Sequence, residues 1–386
     1  MKSSWFAGIL ISVFILVLYF RYPHLAWTAD QKVLSHLPSD FLVYWKANQR
    51  FLLGENPYLL TESSPFKYAP PLFLFFQFLP SNPATAWWCF GTINLILFGL
   101  ALFVGEKWKT KKSVFFLFLG FVLGWKGILE VLDYGQMEFF IFFLAVLVMN
   151  FFDRRPSLSG LLCGFLPCIK LPWILFAFPF LWVDFFYKKK KFLFSFLSSI
   201  FLWFFLFPFL FWGWSKTYFL TQSWLNVLNA QPSGLFLNDI NQSLWVWIFR
   251  FWNSPWALMI ELLMGLALYK MSFRKASFGF GQTETENSYF TDRLNASALS
   301  RVGSLLLWVQ LMNPLAWRWG SVYSVAATFS MNSSIEGRFK KMGWLLLFVL
   351  FLLQQNPIVK LLGFSHWTDI HRFGVVTLYW IVLVVF

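Results

Sequence analysis

The residues able to do chemistry in this chain are few, and they stand out against an apolar background. Asp40 follows Pro38 and Ser39 and opens the run Asp40-Phe41-Leu42-Val43-Tyr44-Trp45. A carboxylate there either suits the positive end of a helix dipole or takes a proton in a reaction, and spacing alone supports both. Lys170 and Arg318 sit within long apolar stretches. A cation at membrane depth is expensive, so it marks either a functional site or a side chain snorkelling to the interface. Glu130 and Asp133 lie three apart on one helical face, and Glu138 follows Gly135-Gln136. These acids either cap a surface or bind an acceptor or a cation. Cys89, Cys163 and Cys168 lie in apolar runs without CxxC or zinc spacing, so they read as small buried hydrophobes. Glu284-Thr285-Glu286 mimics a metal motif but reads as a solvated loop pair.

The elements that position these groups must be membrane helices. Of 386 residues, 58% are hydrophobic and only 12% charged, and mean hydropathy is +0.61. A soluble chain of this length cannot hide that much apolar surface. Apolar runs near 5–20, 84–104, 113–125, 137–152, 158–187, 192–212, 256–271, 302–331, 343–354 and 373–386 are bounded by charge, Pro or Gly. The first follows Met1-Lys2-Ser3-Ser4 and reads as an uncleaved signal anchor. The net charge of +14 comes mostly from clusters flanking the runs, such as Lys188 to Lys191, and these read as cytoplasmic orientation signals rather than a nucleic-acid surface. With the clusters inside, 158–187 must enter and return, breaking near Pro167 to Pro172. By the same argument 302–331 breaks near Asn313-Pro314. The expectation is an all-α polytopic protein with about twelve crossings, several short or broken, and both termini inside. The polar segments 21–83, 126–136, 213–255 and 355–372 then lie outside. The hairpin tips carrying Lys170 and Arg318 point to that same face. The polar segment 273–301 reads as a mobile cytoplasmic loop. Within the outer segment 21–83, Pro70-Pro71 opens a short apolar element, Leu72 to Leu79, that reads as interfacial or re-entrant.

Ordered pieces of this chain resemble glycosyltransferase family 87, the polyprenol-phosphate-mannose-dependent mannosyltransferases with the GT-C fold. The pieces are Ser39-Asp40-Phe41 with Tyr44; Gly54 and Pro57-Tyr58; Tyr68 and Pro71; Gly135-Gln136; Gly160, Gly164 and Lys170-Leu171-Pro172; Asn241-Gln242-Ser243 with Arg250; and Asn313-Pro314 with Trp317. The resemblance implies a single membrane domain over 1–386 whose catalytic loop is 21–83. It implies transfer of a hexose, with inversion, from a lipid-linked monophosphate donor to an acceptor hydroxyl outside the membrane. By motif, Asp40 is the general base.

Elementary chemistry agrees with that assignment. A hydroxyl is a poor nucleophile near neutral pH and needs a positioned base. The departing phosphate needs no proton, but it needs nearby positive charge. Lys170, Arg250 and Arg318 are the candidates, and Lys67 is a weaker one. Gln136, Asn241 and Gln242 suit sugar hydroxyls because amides both donate and accept. Tyr44, Tyr68 and Trp317 suit a sugar face or prenyl chain. With no D-x-D sequence, neither metal nor cofactor is expected. The partners implied are a polyprenyl-phosphate-linked sugar, a lipid or glycan acceptor and the bilayer of the cytoplasmic membrane. One departure stands out. The family pattern places His two residues after the tryptophan of the Asn-Pro motif, and this chain has Trp319 there, beside Arg318. A second function class, a non-enzymatic carrier or flippase of polyprenyl-linked sugars, would use the same groove and cations. Such carriers often show repeated halves, and no clear internal repeat is present.

Overall fold

The computed structural model describes residues 8–9, 11–13, 37–60, 65–105, 111–186, 190–230, 263–270 and 298–312, with isolated positions beyond. Among the described residues there are helices and no strands. The chain divides into two units. One joins residues 2–104 with 130–231, and the other joins 105–129 with 232–386. Asp40, Tyr44, Lys67, Tyr68, Gln136, Glu138 and Lys170 belong to the first.

That unit begins with α1, Ser39–Leu52. Phe41, Tyr44, Ala47, Asn48 and Phe51 recur at helical spacing and form its buried face. Gly54, at φ +79°, stops the helix. The amide of Glu55 returns to the carbonyl of Arg50 at 2.9 Å, and that of Gly54 to Phe51 at 3.2 Å. This 6→1 and 5→2 pair requires a left-handed residue, which glycine supplies without strain. A 3-10 turn, Pro70–Leu72, then leads into the four-residue helix α2, Phe73–Phe76. It is too short to span and packs inward, with Phe73, Leu74 and Phe76 buried. The short element anticipated after Pro70-Pro71 is therefore present, but as a buried platform under α1. Phe51 stacks on Phe73 at 4.7 Å and Tyr44 on Phe76 at 5.7 Å.

The helices α3 (Pro83–Gly105), α4 (Lys111–Tyr134), α5 (Glu138–Phe152), α6 (Pro156–Ile169), α7 (Phe178–Phe186), α8 (Lys191–Phe201) and α9 (Phe207–Asn229) follow. Among the described residues, two stretches are long and apolar enough to cross a membrane: α3, and the 39 residues Lys191–Asn229. The bent pair within α4, Val114–Gly124 and Gly127–Tyr134, makes a third if it is one span. The second stretch is not one rod. A π-turn, Leu202–Leu206, joins α8 to α9, and Gly213 kinks α9 with non-helical φ 74° and ψ 171°. The kink falls where the apolar run 192–212 ends. Beyond it the chain stays helical to Asn229 instead of opening into a polar loop. Leu220, Trp224 and Val227, at helical spacing, give that extension an apolar face.

The stretch 158–187 breaks between Pro167 and Pro172, as its prolines led one to expect. α6 ends at Ile169, Lys170 is extended (φ −143°, ψ 117°), and a 3-10 stretch, Leu171–Ala177, precedes α7. Pro167 is accommodated within α6, and Pro172 falls where no helical amide is lost. α6 packs on α5 and α8. A Cβ on Gly160 would lie 2.5 Å from the carbonyl oxygen of Phe192, and one on Gly164 would lie 2.6 Å from that of Phe196. Ser199 adds a hydrogen bond to the Leu161 carbonyl at 2.6 Å. Small residues four apart let the two backbones meet, the usual means of joining helices in lipid. The consequence for function is a rigid support for Lys170 at the end of α6.

Candidate active site

Asp40 lies in the first turn of α1, whose N-terminus has no side-chain cap. Its only hydrogen bond among the described residues comes from the Ser39 hydroxyl, at 3.4 Å. The base-or-cap ambiguity therefore resolves away from a capping bond. What fixes Asp40 in space is the neighbouring turn. α4 ends at Tyr134, and Gly135 follows at φ +69°. Here too a 6→1 and 5→2 pair closes the helix, from Gln136 to Val131 at 2.8 Å and from Gly135 to Leu132 at 3.1 Å. A Cβ at Gly135 would sit 2.6 Å from Cβ of Phe41 and 3.0 Å from Cβ of Pro38. Glycine is needed twice over, for the backbone angle and for the approach of α1. The pair Gly135-Gln136 thus presses the start of α1 against the turn that presents Gln136.

From that turn a chain of polar groups runs through an aromatic wall. Tyr44 is one helical turn after Asp40 and almost fully buried. Its hydroxyl lies 2.5 Å from that of Tyr68. Tyr68 donates to Gln136 Oε1 at 3.4 Å, so Tyr44 is the donor to Tyr68. Gln136 Oε1 also accepts from Lys170 Nζ at 3.0 Å. These two donors assign the amide orientation, with oxygen toward the lysine. Lys170 Nζ makes a further, ion-paired bond to Glu138 Oε1. Glu138 is 1% exposed and begins α5, where a carboxylate suits the helix dipole. The loop carrying Tyr68 is pinned on both sides. Tyr58 donates to the Tyr68 carbonyl at 2.9 Å, and Trp224 Nε1 to the Lys67 carbonyl at 2.9 Å.

The electrostatics follow from burial. Asp40 is pushed from the ordinary 3.8 up to about 6, chiefly because burial disfavours its charged form. Lys170 and Lys67 pull it down and Glu138 pushes it up. Lys67 is lowered from 10.5 by burial, against the opposing pull of Asp40. Burial also raises Tyr44 and Tyr68 well above 10.0, so both remain neutral hydroxyls. A carboxylate near 6 is ionised at neutral pH yet basic enough to take a proton, the condition for a general base.

The structure thus brings together Asp40, Tyr44, Tyr68, Gln136 and Lys170, and with them Glu138, which the sequence offered as a surface cap or a ligand and which is buried on Lys170. The tyrosines act through their hydroxyls, and Tyr44 stacks on protein rings, so its face is already occupied. Asn241, Gln242, Arg250, Trp317 and Arg318 lie outside the described residues. Glu138 was visible only as a nearby acid. Its partnership with Lys170 spans 32 residues between two helices, and no local pattern signals it. No group of three or more metal-ligating side chains occurs among the described residues.

Apolar helices, two or three of them able to cross a membrane, fit a polytopic membrane protein, and a cluster of polar groups converges where several of its helices end. The model of glycosyltransferase family 87 matches residues 66–307, more than half of the chain, and the chain belongs to that family. It is a membrane glycosyltransferase. No curated protein and no solved structure matches it. The matched range contains Tyr68, Gln136, Glu138 and Lys170 and begins after Asp40 and Tyr44. The case for those two therefore rests on geometry and on the first sequence motif.

Proposed function

We propose that this chain transfers a hexose, mannose by family resemblance, from a polyprenyl-phosphate-linked donor to an acceptor hydroxyl on the extracytoplasmic face. The carrying observation is the partly buried Asp40 within electrostatic reach of Lys170 and Lys67, in a polar cluster set among apolar helices. Asp40 takes the proton of the acceptor hydroxyl. The acceptor oxygen forms a bond to the anomeric carbon from the face opposite the phosphate. The carbon–oxygen bond to phosphate breaks, its electron pair leaves with polyprenyl phosphate, and the anomeric centre inverts. One carboxylate suffices because the leaving phosphate needs no proton, unlike the alkoxide leaving group of glycoside hydrolysis. Positive charge from Lys170, with Arg250 and Arg318, follows the charge that develops on the phosphate. The amides of Gln136, Asn241 and Gln242 and the indole of Trp317 orient the sugar. No metal enters the scheme.

The experiment is transfer of labelled hexose from polyprenyl-phosphate hexose in purified membranes. Asp40→Asn is expected to lower kcat by on the order of 10²–10⁴-fold with the donor still bound. Equal transfer by wild type and variant removes Asp40 from the mechanism. Bound donor moving between leaflets without turnover would point instead to a carrier.

A further inference from the structure

Glu138 carries a role that neither the sequence motifs nor the family assigns. Three observations converge on it. Its carboxylate is 1% exposed, yet it begins the apolar helix α5 and is ion-paired to Lys170. Its Oε2 is buried without a hydrogen-bond partner among the described residues, so Lys170 supplies the compensating charge. Lys170 is bonded to Gln136 as well, and Gln136 is bonded to Tyr68. A lysine stem is long and flexible, with three donors and no fixed direction. Two acceptors on the same turn, Gln136 and Glu138, give this one a direction.

We propose that Glu138 is a positioning residue: its buried carboxylate holds the Lys170 ammonium on Gln136, within electrostatic reach of Asp40, where the donor phosphate must depart. This rests on the transferase reading for its chemical meaning, but the positioning itself is a property of the chain. Removing the carboxylate has two separable effects. Lys170 loses its ion pair and becomes mobile and reactive. Asp40 loses the pull of the Lys170 ammonium together with the smaller opposing push of Glu138, and becomes less acidic. The groups facing Asp40 from the packed elements are Lys170 at the end of α6, Glu138 at the start of α5, Lys67 and Tyr68 from the loop, and Tyr44 and Ser39 on α1. Of these, Glu138 is the only carboxylate among the described residues, and Lys170, its ion-pair partner, acts on Asp40 more strongly and in the opposite sense.

The test uses the detergent-solubilised full chain and two readouts. The first needs no activity: acylation of lysines by a small amine-reactive reagent, followed by peptide mass spectrometry, with Lys67 as internal comparison. Glu138→Gln is expected to raise the labelling rate of Lys170 relative to Lys67 by freeing the ammonium from its ion pair, while Glu138→Asp leaves it nearer wild type. The second is the pH profile of hexose transfer. In Glu138→Gln the acidic limb moves to higher pH, because the freed Lys170 no longer favours the Asp40 carboxylate, and kcat falls more than donor KM rises. A merely structural acid would reduce the yield of folded protein and leave both readouts unchanged. Unchanged Lys170 labelling in folded Glu138→Gln overturns the proposal. So does an unmoved acidic limb. If wild type transfers no hexose, the transferase reading fails while the labelling result still decides the positioning.

Discussion

Replacing Asp40 by Asn should make the protein more stable as it makes it inactive, and the size of the gain follows from the site. Burial holds the Asp40 pKa at about 6 against an ordinary 3.8, a shift of about two units. At 1.36 kcal/mol per unit, the ionised carboxylate costs the fold up to ~3 kcal/mol. The sign is fixed by proton counting. Between 3.8 and about 6 the folded chain keeps a proton that the unfolded chain has released, so wild-type stability falls as pH rises through that window. Below it both states are protonated and the cost vanishes. Above it the cost is complete. Asn has the same shape and no charge, so its advantage should be near zero at pH 4, grow through pH 5 to 6, and level off by pH 7 to 8. The assay is thermal unfolding of both proteins in one detergent across that range, followed by the fluorescence of the 23 tryptophans. A stability difference independent of pH would refute the reasoning. So would a variant less stable than wild type at pH 8, which would mean that the carboxylate is stabilised by its neighbours rather than strained by burial.

Other consequences are equally direct. The acidic limb of kcat/KM should fall near pH 6, since that quantity reports the base of the free enzyme; a limb near 4 would point to an exposed carboxylate. Gly135→Ala places a Cβ 2.6 Å from Phe41 Cβ at a backbone angle of φ +69°. It should cost about 2–4 kcal/mol in unfolding measurements and lower transfer by displacing α1, even though no reactive atom is removed. In a chain with its three native cysteines replaced, a cysteine at position 233 should react with an impermeant thiol reagent from outside, and one at position 283 should not. The reverse labelling would put Asp40 on the cytoplasmic face.

Much of this architecture is readable in the sequence wherever one local cause decides the outcome. Pro38-Ser39-Asp40 starts a helix, with a carboxylate in the first turn rather than a side-chain cap, and Gly54 ends it in the left-handed conformation. Pro172 helps break the hairpin beside Lys170, so a cation at a backbone break was visible before any contact was known. Gly135-Gln136 was visible as a motif, but its cause was not. The glycine serves both a left-handed helix terminus and the approach of Phe41, which lies 94 positions away in the chain. Glu138 and Lys170 were each legible as charges in apolar surroundings. Their pairing was not, because it depends on how α5 and α6 pack. The extension of α9 beyond Gly213 was missed for a related reason. Its polar residues placed it in an outer polar segment with no helix assigned, whereas its Leu220, Trp224 and Val227 face is buried and holds the Lys67 carbonyl through Trp224.

The most direct test of the account is hexose transfer by purified wild type and Asp40→Asn, supplied with the same polyprenyl-phosphate-linked donor and acceptor. The account predicts inverted product from wild type and a loss on the order of 10²–10⁴-fold in the variant, with donor binding retained. Product formed by Asp40→Asn at the wild-type rate would contradict it.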